Sequence, residues 1–265
     1  MNNQKPLLEN LDPDVVGFMT KNKENIAKAT KVTGALATTI ISTGALAGAA
    51  FGSGGKLPDE ITDVLNFALT LEYLEDEFYR KGMESSRLIP SNTRSVFAQI
   101  SKHETAHVAL LKSVLGGKAV SKPNFDFTAG GTFADVFSNY QTFLALSQAF
   151  EDTGVRAYKG QAGNLKSNAK ILTTALQIHS VEARHAAEVR RIRGEKAWIT
   201  QDSRGTLPEA ADAVYFAERK TSELGVNLSS LMSTNSLSNA AITQAFDEPL
   251  SKNQVLRVAG LFIKG

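Results

Sequence analysis

Two copies of one four-residue pattern constrain this chain more than any other feature. Residues 104–107 read Glu-Thr-Ala-His and residues 182–185 read Glu-Ala-Arg-His. Each lies in a long segment whose apolar residues recur at steps of three and four, the spacing of one helical face. Each also follows an isolated Glu on a matching face: Glu72 comes 32 residues before Glu104, and Glu151 comes 31 before Glu182. On a helix, Glu and His three apart share a face. One Glu from each of two helices, with Glu-x-x-His from each of two others, is the ligand set of a dinuclear metal site inside a four-helix bundle. A chain carrying it must bring four helices together with these faces inward.

The four helices can be read one at a time. Leu57-Pro58-Asp59-Glu60 opens the first, with Pro in the first turn and acids at the positive helix end. Ile61, Leu65, Ala68, Glu72, Glu75 and Tyr79 follow as one stripe, with Gly82 near the end and Pro90 in the next turn. The second begins near Ser91, carries Phe97, Ile100, Glu104, His107 and Leu111, and stops at Gly116-Gly117. Residues 118–131 read as a loop, longer than a simple antiparallel turn needs. The third helix is expected over 132–159, facing inward with Phe137, Tyr140, Leu144, Ser147, Glu151 and Tyr158, and broken from Gly160 onward. The fourth presents Ile171, Ala175, Ile178, Glu182, His185, Val189 and Ile192, with Gly194 as its stop.

The halves repeat one another. Glu72 and Glu151 stand 79 residues apart; the Glu104–Glu182 and His107–His185 pairs stand 78 apart. Tyr79 and Tyr158 each lie seven residues after their Glu, two turns along and so on the same face. This predicts a duplicated two-helix unit with pseudo-twofold symmetry. Both hydroxyls are then placed to hydrogen-bond to metal ligands.

A buried carboxylate is costly unless its charge is compensated. Here four Glu lie on stripes of Leu, Ile, Phe and Ala, and two divalent cations would neutralise them, with two neutral imidazoles completing the set. The Glu of each Glu-x-x-His is expected to bridge the ions, while Glu72 and Glu151 cap one each. Positions would remain open for water, O2 or peroxide, and no catalytic residue is expected beyond the six ligands. Oxygen and nitrogen donors suit iron or manganese better than copper or calcium; two ions per chain are expected, iron ahead of manganese. Glu75 shares the Glu72 stripe and rivals it, but the spacing and the Tyr match favour Glu72, leaving Glu75 as an outer or half-exposed acid. His179, three residues before Glu182, reads either as a group supporting the ligands or as a core histidine. His103 points about 100° around the helix from Glu104 and reads as a surface residue. Arg184, Arg190, Arg191 and Arg193 read as a solvated face, and Asp152 as a solvated or structural acid.

The chain has no cysteine, which excludes thiolate zinc sites, iron–sulfur clusters and disulfides. Its 29 basic and 27 acidic residues nearly balance and form no basic block, so nucleic acid is not expected as a partner. In residues 1–55, lysines at 21, 23, 28 and 31 precede an uncharged stretch at 32–51 and a Gly-rich break. That order resembles an export signal, giving an expected periplasmic or exported location, with the cytoplasm as the alternative. The stretch is too rich in Gly, Thr and Ala to be a good anchor, so membrane association would come only from this segment if it is retained. Residues 199–235 are polar and read as irregular, followed by two short helices at 238–246 and 251–263. This tail is expected to pack on the bundle, since its own core is too small to stand alone.

LNFALTLEYLEDEFY at 65–79, HETAH at 103–107, HSVEARH at 179–185 and AFDEPL at 245–250 together resemble the ferritin-like superfamily. Within it, residues 57–265 are similar to the bacterial ferritin-like domain group related to desiccation-associated proteins. The resemblance implies an all-α fold: a ferritin-like four-helix bundle with a long connection between helices two and three. The expected division is an N-terminal arm at 1–55, the bundle at 56–196 and a partly irregular C-terminal extension with short helices at 197–265. It further implies a di-iron or di-manganese centre. Members of the group often begin with a twin-arginine signal, whereas this chain has only lysines there. Three functions stay open: redox chemistry with O2 or peroxide, of ferroxidase or manganese-catalase type; iron binding or storage without turnover; and a structural, desiccation-protective role. Self-assembly into a homo-oligomer is left open as well.

Overall fold

The computed structural model describes residues 57–231 and 238–264; the arm and export signal expected within 1–55 lie outside them. No helix among the described residues is long and apolar enough to cross a membrane.

Four long helices make the bundle: α1 (Asp59–Glu84), α2 (Ser91–Leu115), α3 (Tyr140–Gln161) and α4 (Ala169–Ile192). α1 packs chiefly on α2, and α3 chiefly on α4, so the bundle is two helical hairpins, as the internal repeat implies. Asp59 and Glu60 fill the first turn of α1 and Lys81 its last, each complementing the helix dipole. α2 ends at Gly116, whose φ of 54° lies in the left-handed region. Asn168 caps α4 by accepting from the Ile171 N–H at 3.1 Å. The predicted inward stripes are buried: Ile61, Leu65, Ala68, Phe97, Ile100, Leu111, Leu144, Ile171, Ala175, Ile178 and Val189 all join the core. At one end Phe78 sits in an aromatic cluster with Tyr79, Phe127, Phe137, Phe143 and Phe150. Gly82 is needed there, because a Cβ at that position would overlap the Phe143 ring.

Two sequence expectations fail. α3 begins at Tyr140, eight residues later than read from periodicity. Residues 128–138 form successive turns, with left-handed backbone at Ala129, Gly130 and Gly131. The Asp135 carbonyl accepts from Ser138 and Asn139, and the Asn139 side chain accepts from the Gln141 N–H. Polar side chains that satisfy the backbone locally compete with helix and then cap it. Phe137 therefore packs on Phe78 and Phe127 from the connection and not from the helix. Gly160, expected to break α3, lies inside it; the helix continues to Gln161 and into a 3-10 turn at Ala162–Leu165. Its lack of a side chain serves another purpose: a Cβ there would collide with the Leu250 carbonyl oxygen.

That contact belongs to the extension, which lies along α3. Two short helices, α5 (Asn239–Thr243) and α6 (Lys252–Ala259), follow a 3-10 segment at Glu209–Tyr215 and a two-stranded hairpin, β1 (Ser222–Glu223) with β2 (Val226–Asn227). Ile199, Leu207, Ala211, Val214, Tyr215 and Val258 form a small core against Ala149 of α3. Near the C-terminus, Phe262 stacks edge-on against Phe150, and its carbonyl accepts from the Asp126 N–H at 2.8 Å. The long α2–α3 connection and the last residues of the extension thus hold each other.

Candidate metal centre

Each of the four helices contributes one or two carboxylate or imidazole groups to a cluster at the bundle centre. Glu72 comes from α1, Glu104 and His107 from α2, Glu151 from α3, and Glu182 and His185 from α4. All four carboxylates are fully buried, and the imidazoles are 8% and 5% exposed. Ligand atoms gather in two groups, each within 4.8 Å: Glu72, Glu104, His107 and Glu182 in one, and Glu104, Glu151, Glu182 and His185 in the other. Glu104 and Glu182 belong to both groups, while Glu72 and Glu151 belong to one each. The sequence reading expects Glu104 and Glu182 to bridge and Glu72 and Glu151 to cap.

The imidazoles turn their Nδ1 atoms inward. His107 Nδ1 lies 3.2 Å from Glu72 Oε2, 3.2 Å from Glu104 Oε2 and 3.1 Å from Glu182 Oε1. His185 Nδ1 lies 3.0 Å from Glu104 Oε1, 3.3 Å from Glu151 Oε2 and 3.2 Å from Glu182 Oε2. Burial works to discharge both rings, but the surrounding carboxylates outweigh it. His185 is pushed up to about 12 and His107 further in the same direction. The carboxyls divide. Burial pushes Glu104, Glu151 and Glu182 upward, leaving Glu151 at about 7 and Glu104 well above the ordinary range, where repulsion from Glu182 adds to the effect. At Glu182 the close imidazoles of His107 and His185 overcome burial and hold it down at about 2.

Protons alone leave this cluster poorly satisfied. Glu104 Oε1, Glu151 Oε2 and Glu182 Oε1 are buried and accept no well-aligned hydrogen bond, although imidazole nitrogens lie near them. Three orphaned carboxylate oxygens and two inward nitrogens form a donor set that suits divalent cations. Buried oxygens that lack hydrogen-bond donors fit cations better than they fit an empty polar core.

Two tyrosines brace the carboxylates across the bundle. Tyr79 of α1 donates to Glu151 Oε1 of α3 at 2.5 Å, and Tyr158 of α3 donates to Glu72 Oε1 of α1. The crossing obeys the pseudo-twofold of the sequence repeat: each tyrosine serves the other hairpin's Glu. Burial, together with the negative charge of its Glu partner, raises both phenols well above their ordinary range, so they stay protonated donors.

Other polar residues differ from their sequence reading. No hydrogen bond among the described residues joins His179 to the six. Burial lowers its basicity, and the Lys159 charge adds to the effect. Glu75 is not half-exposed but 3% exposed, and burial with repulsion from Glu182 raises it well above the carboxylate range. The room for it comes from Gly154, its counterpart in the repeat, where a Cβ would stand 3.2 Å from Glu75 Oε1. Arg190 is buried rather than solvated; it donates twice to Asp152, at 3.1 and 2.5 Å, and Tyr215 donates to the same carboxylate at 2.7 Å. His103, read as a surface residue, hydrogen-bonds to His185. These partners come from separate helices or from the extension, so periodicity within one helix carries no trace of them.

The ferritin-like domain family matches residues 60–195, slightly more than half of the chain and the whole span of α1 to α4 apart from the first residue. No curated protein matches the chain.

Proposed function

This chain belongs to the ferritin-like domain family, and from that premise we propose that its bundle centre holds two divalent metal ions and uses them for redox chemistry with O2 or peroxide. The observation that carries the reading is that Glu104 and Glu182 are common to both groups of ligand atoms. Glu104 and Glu182 would be shared by the two ions, with Glu72 and His107 at one and Glu151 and His185 at the other. Glu72, Glu104, His107, Glu151, Glu182 and His185 are the proposed ligands, with iron ahead of manganese. When bound, the metal pair would supply the electrons for reducing O2 or peroxide.

The chain's own residues fit that chemistry. Glu72 and Glu151 are each fixed by one tyrosine hydroxyl, which limits carboxylate rotation and keeps each ligand's second oxygen directed inward. The apolar walls exclude bulk water, so a small oxidant suits the site better than a large organic substrate. Peroxide removal or ferrous oxidation in stress protection is the corresponding role, with export to the periplasm as its proposed setting.

The test is direct. Protein loaded with Fe(II) without oxygen and then mixed with O2 or H2O2 should oxidise its iron faster than free Fe(II) under the same conditions. Mn(II)-loaded protein should be assayed for O2 release from H2O2. A loaded site inert to both oxidants would refute the redox reading and leave binding or structure as the function.

A further inference from the structure

The pseudo-twofold of the centre is broken at one ligand. His103 Nδ1 lies 2.8 Å from His185 Nε2, and the two ring planes differ by 11° with centroids 5.1 Å apart. That separation equals the nitrogen–nitrogen distance plus the two ring radii, so the rings lie edge to edge in one plane. This is the geometry of an in-plane hydrogen bond and not of face stacking. The residue standing 78 positions after His103 is Val181, which has no polar side chain. His107 accordingly has no hydrogen bond at Nε2 among the described residues.

The direction of the bond follows from the inward face. His185 presents Nδ1 to Glu104, Glu151 and Glu182. An imidazole that binds a cation through Nδ1 carries its proton on Nε2, so His185 must donate to His103 Nδ1. His103 is then protonated on Nε2 and needs an acceptor there. Gln99 lies 2.7 Å away, and its amide must turn its oxygen, not its nitrogen, toward that proton. One chain of donors results: His185 to His103 to Gln99, running from the buried centre toward the surface.

We propose that His103, oriented by Gln99, is a positioning residue for His185 alone, and that the two cation positions are therefore inequivalent, the one beside His185 being the tighter. The inference rests on the dinuclear reading. A ligating histidine whose second nitrogen is held by an acceptor is pre-oriented and more basic, and loss of such a partner lowers metal affinity by roughly 10–100-fold. Only one of the two histidines has this support.

Zn(II), which is redox-inert and diamagnetic, is the probe. Calorimetric titration of the wild-type protein should resolve two steps. His103→Ala should weaken the tighter step by roughly 10–100-fold and leave the other unchanged. His103→Asn, whose side-chain oxygen can stand where Nδ1 stood, should restore most of the loss. In 15N-labelled, Zn-loaded wild type the His185 Nε2 proton should be shifted downfield and exchange slowly; in His103→Ala that signal should be lost to exchange. Equal weakening of both steps, or affinities and a proton signal indifferent to position 103, would overturn the inference alone. A wild type that takes up no Zn(II) would overturn the dinuclear reading and this inference with it.

Discussion

Arg156 anchors the C-terminal extension to the bundle, and removing its charge should loosen that joint by a calculable amount. The guanidinium is completely buried. Nε donates to the Glu248 carbonyl at 2.7 Å, Nη2 to that of Phe216 at 2.5 Å, and Nη1 to that of Val214, while Glu218 pairs with it at 2.7 Å. Arg156→Met keeps most of the apolar stem and deletes the donors. Breaking a buried ion pair from one side costs about 3–5 kcal/mol, a large share of the roughly 5–15 kcal/mol that stabilises a domain. The loss must also depend on pH. Burial raises Glu218 to about 7 even with Arg156 pulling it down; without Arg156 it rises further. An acid raised on folding costs nothing below its unfolded pKa; the cost grows as pH climbs from there and is complete above the folded pKa. The variant should therefore lose most near pH 8.5 and least near pH 5.5, where Glu218 folds protonated. Urea unfolding at both pH values measures the loss, and limited proteolysis shows whether residues 197–264 are cut first. Adding Glu218→Gln should recover about 1 kcal/mol or more at the higher pH. A loss below about 1 kcal/mol, or one equal at both pH values, would refute the reasoning.

Gly160→Ala should also displace the extension, since the Leu250 carbonyl occupies the place of the new methyl. Overpacking of this kind costs about 1–3 kcal/mol, measured by urea unfolding, and an unchanged midpoint would show that the two segments are not in contact. Metal binding should release protons: His107 and His185 are held charged by the carboxylates, His185 at about 12, and each must become neutral to ligate. Because these pKa values are raised, the competing protons stay bound through the neutral range, and affinity should fall as pH falls. Calorimetry in two buffers of different ionisation heat should find about two or more protons released per loaded chain near pH 7; none released would mean that the imidazoles do not ligate.

The six polar residues of the centre were legible because a helix repeats its face every three to four residues, and a charged residue on an apolar stripe stands out against that repeat. Tyr79 and Tyr158 were legible for the same reason, their seven-residue offset being two turns. What failed was set by chemistry outside a single helix. The start of α3 was displaced by Asp135, Ser138 and Asn139, whose side chains and carbonyls satisfy the backbone without a helix. Gly160 looked like a helix breaker because the segment pressing on it lies 90 residues away. Arg190 looked solvated because its partner Asp152 is on α3 and its neighbour Tyr215 is in the extension. His103 faces α4 only because of how α2 and α4 cross, which no residue on α2 alone encodes.

The central claim is that the buried carboxylates and histidines hold a pair of metal ions. Elemental analysis of protein purified from cells supplied with both iron and manganese tests it, beside a Glu104→Ala/Glu182→Ala variant that removes both shared carboxylates. The account predicts close to two ions of Fe or Mn per chain, lost in the variant. A wild type without bound metal, and with unchanged stability in chelator, would contradict it.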